Sequence, residues 1–174
     1  MDYEGLTLDK EAGVATLTLN RPEQLNAISL PLVRSLGRVL DDIDKDNNLK
    51  VLIITGAGRA FCTGIDVTAL SPISEMPREE LSDLMRTMSL PLHNLSKPTI
   101  AAINGATVGA GLSIAMLCDI RIASERVRFS SGYIRMGLVP DIGATYSLPR
   151  IVGTAKAMEL ILTGDTFDAA EAQR

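Results

Sequence analysis

The 174-residue sequence has no tryptophan and only three phenylalanines and three tyrosines. An aromatic core is therefore excluded, and the interior has to be packed with aliphatic side chains and methionine. It has a single histidine, His93, and two widely separated cysteines, Cys62 and Cys118. That inventory rules out a disulfide scaffold and a histidine- or cysteine-based metal site. The two thiols are expected to be free and buried. The longest apolar stretch, Ala106 to Cys118, is interrupted by Thr107 and Ser113 and is too short to span a bilayer. The opening MDYEGLTLDKEAG is acidic and lacks the apolar centre of a secretory signal. Net charge is −4, which offers no basic surface for nucleic acid. The expected protein is soluble and cytoplasmic, with neither membrane nor nucleic-acid partners.

What is present reads as one mixed α/β domain over 1–174, without linker or low-complexity segment. GVATLTLN (13–20) alternates as a half-buried strand does. In residues 30–46, Leu32, Val33, Leu36, Val39, Leu40 and Ile43 recur at helical spacing. VLIIT (51–55) and TIAAI (99–103) read as strands buried on both faces. GAGRAFCTGID reads as a loop, residues 78–95 as a helix, and IRIAS and RVRFS as strands. A short helix is expected at about 111–117, a turn leading to helices over 138–153, and a helix in GTAKAMELILTG. Twice, at 51–70 and 99–117, a buried strand runs into a glycine-containing loop and a short helix. Such junctions present unpaired backbone N–H groups and the positive end of a helix dipole. Two of them converging would hold a developing oxyanion.

The second loop, NGATVGAGLS (104–113), lacks the features of better-known glycine loops. A dinucleotide fingerprint needs a third glycine where Ile114 stands. No Gly-Lys-Ser/Thr follows, so it is not a P-loop, and Ser113 lacks the flanks of a nucleophile elbow. His93, at the end of a helical segment, is a poor base for it. The glycines could also do no more than permit close helix–strand packing.

Taken together, RAFCTGIDV (59–67) and INGATVGAGLSIAMLCDI (103–120) resemble the enoyl-CoA hydratase/isomerase (crotonase) family. LNRPEQLNAIS (19–29), GLVPDIGATYSLPRIVG (137–153) and AMELILTGDTFDAAEA (157–172) extend the resemblance in order along nearly the whole chain. It implies a spiral of ββα units. It also implies an acyl-CoA thioester as substrate, with coenzyme A as part of that substrate and no permanently bound cofactor or metal. The thioester enolate would be held by the N–H groups of Ile65 and Ala110, within Gly64-Ile65 and Gly109-Ala110. Contacts to substrate and coenzyme A are implied at Ala27, Gly64, Ile65, Asp66, Val67, Thr68, Gly109, Ala110, Ser113 and Tyr133. Thr68 replaces a lysine common in the family. Members usually continue about another third beyond residue 174, into helices that complete the acyl pocket and build a trimer or hexamer. This chain is expected to lack that region.

The sequence departs from the family where hydration needs its two glutamates. Ser113 and Tyr133 stand at those positions, and neither is a carboxylate base near neutral pH. Asp141, in Pro140-Asp141-Ile142-Gly143, matches a position used by isomerases of the family, 1,2-epoxyphenylacetyl-CoA isomerases among them. The residues alone leave Asp141 open between a proton carrier and a turn or helix N-cap. The expected function is an acyl-CoA isomerase with Asp141 as its single acid/base. The alternatives are an enoyl-CoA hydratase, a non-catalytic CoA-binding member, and a dehalogenase like those acting on 4-chlorobenzoyl-CoA. Asp66 and Asp119 are expected to be structural, and Phe61 to lie in the core.

Overall fold

A computed structural model of the chain describes residues 3–174. The described residues open with β1 (Leu6–Glu11) and β2 (Val14–Leu19), followed by α1 (Leu30–Lys45), β3 (Val51–Gly56) and β4 (Ala60–Cys62). Next come α2 (Leu70–Glu75), α3 (Arg78–His93), β5 (Thr99–Ile103), β6 (Ala106–Val108) and α4 (Ala110–Leu117). The chain continues through β7 (Ile120–Ala123), β8 (Arg128–Ser130), α5 (Ala144–Val152), α6 (Thr154–Thr163), β9 (Thr166–Asp168) and α7 (Ala169–Gln173).

The strands sort into two sheets. One has the order β1-β2-β3-β5-β7, the other β4-β6-β8-β9. The β1–β2 pair is antiparallel and β2, β3, β5 and β7 run parallel. In the second sheet β4, β6 and β8 are parallel and β9 returns antiparallel. Each consecutive pair (β3 and β4, β5 and β6, β7 and β8) gives its first strand to one sheet and its second to the other. A helix then leads to the next pair. This is the spiral of ββα units that the resemblance implies.

Helix α1 follows from the spacing that predicts it. Ser29 caps it by accepting from the Leu32 N–H at 3.4 Å, Pro31 occupies its first turn, and all six expected apolar residues are buried. Helix α3 ends at His93 rather than Leu95 and runs through Pro91. Strands β3 and β5 alternate between buried and half-buried positions. The expectation of full burial on both faces is therefore corrected: Leu52, Ile54, Ala101 and Ile103 face the core, and the intervening residues lie under thinner cover. The chief elements missing from the sequence reading are β1 and β4, the latter lying inside the presumed loop GAGRAFCTGID.

The core is aliphatic, with Phe61 its largest fully buried side chain. Cys62 and Cys118 are free and buried, and burial pushes both thiols up to about 12. Asp119 is structural as expected: its carboxylate accepts from the Thr99 N–H (2.7 Å) and hydroxyl (2.8 Å), joining the starts of β5 and β7. No helix among the described residues is long and apolar enough to cross a membrane.

Candidate active site

The short strands β4 and β6 build the site. They pair in parallel, Ala60 with Ala106 and Cys62 with Thr107, so the loops that leave them emerge side by side. Both glycine junctions thus carry an extra strand between the buried strand and the glycine. A methyl group on Gly64 would lie 3.6 Å from the Ala110 nitrogen and 3.2 Å from the Val108 carbonyl oxygen. The two backbone segments are in contact.

The N–H groups of Ile65 and Ala110, at this junction, lie outside the neighbouring backbone bonds for different reasons. Ile65 forms a parallel bridge with Ile28, in which the Ile28 N–H donates to Gly64 (2.8 Å) and the Asp66 N–H donates to Ile28 (2.9 Å). In that pattern the residue between the two bonds turns its own N–H the other way. Ala110 is the first residue of α4, where an N–H has no intrahelical acceptor. Gly109 makes that start possible at φ 52° and ψ −120°, a conformation closed to residues with a Cβ. Gly111 is required sterically: a methyl there would lie 2.2 Å from the Cys62 carbonyl oxygen. After Ile65 the chain enters a 3-10 turn, Val67–Ala69, and not an α-helix directly. The helix dipole at this pair of donors therefore comes from α4.

The segments expected to meet coenzyme A are tied by residues that carried no expected role. Arg21 donates to the Ala27 carbonyl at 2.5 Å and to the Asp66 carboxylate at 2.9 Å. Asp66 also accepts from the Thr68 hydroxyl (2.7 Å) and N–H (3.0 Å). The Thr68 bonds, then Arg21, hold its carboxyl below the usual carboxylate range. That carboxylate is engaged within the fold as a structural tie, while Val67 and Thr68 lie exposed beside it. Asn26 is fully buried, donates to the Ala57 (2.9 Å) and Ala60 (2.8 Å) carbonyls and accepts from the Arg21 N–H (2.9 Å). The quoted LNRPEQLNAIS held both residues; their burial and partners were the missing information.

Ser113, Tyr133 and Asp141 meet on the other side of the α4 start. The Ser113 and Tyr133 hydroxyls are 2.6 Å apart and buried. Tyr133 is delivered by a turn pinned to α6, where Ser130 donates to the Gly164 carbonyl (2.9 Å) and Ser131 to that of Leu160 (2.5 Å). Ser113 also lies 3.4 Å from the Asp141 carbonyl oxygen. The Asp141 Oδ1 is buried and has no hydrogen-bond partner. Burial raises the carboxyl above its ordinary range, partly offset by Tyr133 and its own backbone N–H. Burial, then the nearby Asp141 charge, pushes the Tyr133 phenol well above its usual value.

Asp141 caps no helix, because the N-cap of α5 is Gly143 and the helix takes no side-chain cap. That removes the N-cap alternative. The next residue, Ile142, is buried at φ 47°. A β-branched side chain in the left-handed region is strained by roughly 1–2 kcal/mol. Strain of that kind concentrates where the surroundings fix a residue for a purpose.

Other candidates stand apart. His93 is exposed at the end of α3, with its ring edge-on to Tyr146 at 6.5 Å. No group of three metal-binding side chains occurs among the described residues. A cavity of about 1180 Å³ opens beside α4, α5 and α7, lined by Leu112, Met116, Phe129 and Leu148, and none of the candidate residues contributes to it.

Two mostly parallel sheets whose short strands bring two glycine loops together define an α/β class built around a paired-loop junction. Comparison with known proteins places it further. The profile of the enoyl-CoA hydratase/isomerase family matches residues 9–174, and the chain belongs to that family. It is 37% identical over 175 residues to the short-chain-enoyl-CoA hydratase of Clostridium acetobutylicum, covering 100% of this chain and 67% of the relative. It is 39% identical over 166 residues to the 1,2-epoxyphenylacetyl-CoA isomerase of Escherichia coli, covering 93% and 63%. A Thermobifida fusca protein solved in complex with acetoacetyl-CoA superposes with a TM-score of 0.87 at 33% identity, covering 97% of this chain and 70% of that one. The chain thus spans about two thirds of the length of the curated relatives it matches, most of which are named hydratases.

Proposed function

We propose that this chain carries the catalytic core of an acyl-CoA isomerase. The thioester oxygen sits between the N–H groups of Ile65 and Ala110, which stabilise the enolate as charge develops there. Asp141, as carboxylate, takes a proton from the carbon next to the thioester carbonyl and returns it, on the same face, two carbons further along. The double bond moves, and no water is consumed. The observation that carries this reading is the buried, unpartnered Asp141 Oδ1, together with hydroxyls at Ser113 and Tyr133 where hydration would need two carboxylates. Burial moves Asp141 toward the working pH, as a proton carrier requires.

The names of most relatives favour a second reading, an enoyl-CoA hydratase in which a water is held by Ser113 and Tyr133. One experiment separates the two. The protein is incubated in D2O with a 3-enoyl-CoA and with crotonyl-CoA, and products are resolved by mass spectrometry. Isomerase chemistry gives conjugated product from the first with partial deuterium uptake, and Asp141→Asn abolishes it. A product heavier by one water from crotonyl-CoA, formed equally well by Asp141→Asn, would select hydration instead.

A further inference from the structure

Resting on the reading of the Ile65 N–H as an oxyanion donor, we infer that Arg21 is a positioning residue for it. Arg21 acts by clamping the two segments that flank an isolated backbone bridge. The donor belongs to the Gly64–Ile65 peptide. A trans peptide is planar, with its N–H and C=O pointing in opposite directions, and no peptide among the described residues is cis. The Gly64 carbonyl accepts from the Ile28 N–H at 2.8 Å, so the Ile65 N–H in the same plane points away from Ile28. Whatever turns this plane turns the donor with it.

Little in the chain itself resists such a turn. Gly64 stands at φ 96° and has no side chain to restrict its ψ. The bridge between Ile28 and Ile65 belongs to no strand. Its second bond runs from the Asp66 N–H to the Ile28 carbonyl at 2.9 Å, and no neighbouring rungs stiffen the pair. Arg21 takes their place. One arm of its guanidinium donates at 2.5 Å to the carbonyl of Ala27, the residue before Ile28. The other donates at 2.9 Å to the carboxylate of Asp66, the residue after Ile65. The planar fork therefore spans the same gap as the bridge.

Both ends of this clamp are anchored. The Arg21 N–H donates to the Asn26 side chain and the Asn26 N–H to the Arg21 carbonyl, each at 2.9 Å. The stem of Arg21 runs beside Gly5, where an added methyl would lie 3.2 Å from its Cδ. Asp66 is fixed in turn by the Thr68 hydroxyl at 2.7 Å and N–H at 3.0 Å. The Arg21 and Asp66 side chains are only 22% and 10% exposed, so solvent screens them less than a surface ion pair. A further side-chain contact across the gap, from the Thr63 hydroxyl to the Leu25 carbonyl, is longer, at 3.3 Å.

Arg21→Met keeps an unbranched apolar stem and removes both arms. Asp66→Asn removes the charge at the other end. Amide hydrogen exchange reads the bridge without reference to activity. In Arg21→Met the Ile28 and Asp66 amides are expected to exchange about 10- to 100-fold faster, while those of β3 keep their rates. Asp66→Asn should act in the same direction. In Arg21→Met the kcat for isomerisation or hydration, whichever the unmodified protein catalyses, is expected to fall about 10-fold or more. KM should change less than kcat, because a misaimed donor loses a bond that strengthens in the transition state. Unchanged exchange at Ile28 and Asp66, exchange raised equally throughout the fold, or a raised KM at unchanged kcat overturns the inference. The donor itself is checked by replacing Ile65 with its α-hydroxy acid, which turns the peptide into an ester and deletes the N–H. If that ester keeps the full kcat, it is the reading of Ile65 as donor that fails, and the role of Arg21 with it, whatever the exchange rates show.

Discussion

Gly111→Ala tests the junction on which the proposed oxyanion site depends. The added methyl would lie 2.2 Å from the Cys62 carbonyl oxygen, 2.7 Å from its carbon and 2.8 Å from its Cβ. Ordinary contact begins near 3.4 Å, so β4 and α4 must part by about 1.2 Å at this point to relieve the repulsion. Neither side yields easily, because the obstructing atoms are backbone and β4 is paired to β6. Overpacking of this sort costs up to roughly 3 kcal/mol. For a domain of this size that corresponds to a fall in Tm of about 6–12 °C. The same displacement separates the Ile65 and Ala110 nitrogens, and a misplacement of about 1 Å lowers a rate by roughly 100-fold. Thermal unfolding gives the first quantity and deuterium exchange into an acyl-CoA the second. Gly137→Ala serves as the comparison, since a methyl there meets nothing within 4 Å and only the positive φ of 67° is disturbed. A Gly111→Ala protein with unchanged Tm and unchanged exchange would show that the loops do not meet as described.

Asn26→Ala removes both donors to Ala57 and Ala60 and the acceptor for Arg21. It also places alanine at φ 58°. Buried groups left unpaired cost about 1–3 kcal/mol apiece, and relaxation should leave a loss near 3 kcal/mol, seen as a Tm lowered by roughly 6–12 °C; a loss below about 1 kcal/mol would mean the buried contacts are not made. Cys62 and Cys118, with thiols at about 12 and no access to solvent, should resist iodoacetamide at mildly alkaline pH in the folded protein. Both should be alkylated quantitatively in guanidinium chloride, and labelling at the rate of a free thiol under native conditions would contradict their burial.

Local pattern was enough for most of the long elements. The α1 stripe from Leu32 to Ile43 is legible because a 3.6-residue period has to face a core. The sheet partition was not legible from periodicity. Strands β4, β6 and β8 have three residues each, too few for any period to emerge. Their pairing depends on partners 22 to 46 residues away, such as Thr107 with Phe129 and Ala60 with Ala106. The resemblance supplied that long-range information. It also supplied Ile65 and Ala110, since a backbone donor leaves no trace in its own side chain. Arg21 and Asn26 escaped for a related reason: a polar residue next to Pro22 reads as turn until its burial and distant acceptors are known.

At Asp141 the structure narrows readings that the sequence leaves balanced: it removes the N-cap and keeps a turn, in which the Ala144 N–H donates to the Asp141 carbonyl (2.8 Å). A carboxylate just before a helix is ordinarily a capping or turn residue, because uncompensated burial of such a group is unfavourable. Here Gly143 is the N-cap of a helix that starts at Ala144, and the Asp141 carboxyl makes no capping bond and is buried with one oxygen unpartnered. Its neighbour Ile142 holds a strained backbone conformation that a glycine would take without strain. Ile142→Gly relieves roughly 1–2 kcal/mol of strain but also deletes a buried core side chain, at a cost of roughly 2–5 kcal/mol, so the protein is destabilised under either reading. A merely structural turn leaves proton transfer in the folded protein unchanged. If the strain instead fixes the buried carboxyl in place, the same substitution loosens it and reduces proton transfer even as the backbone relaxes. The two readings thus assign different consequences for proton transfer to one substitution, made at a residue outside the proposed Ile65 and Ala110 donor pair.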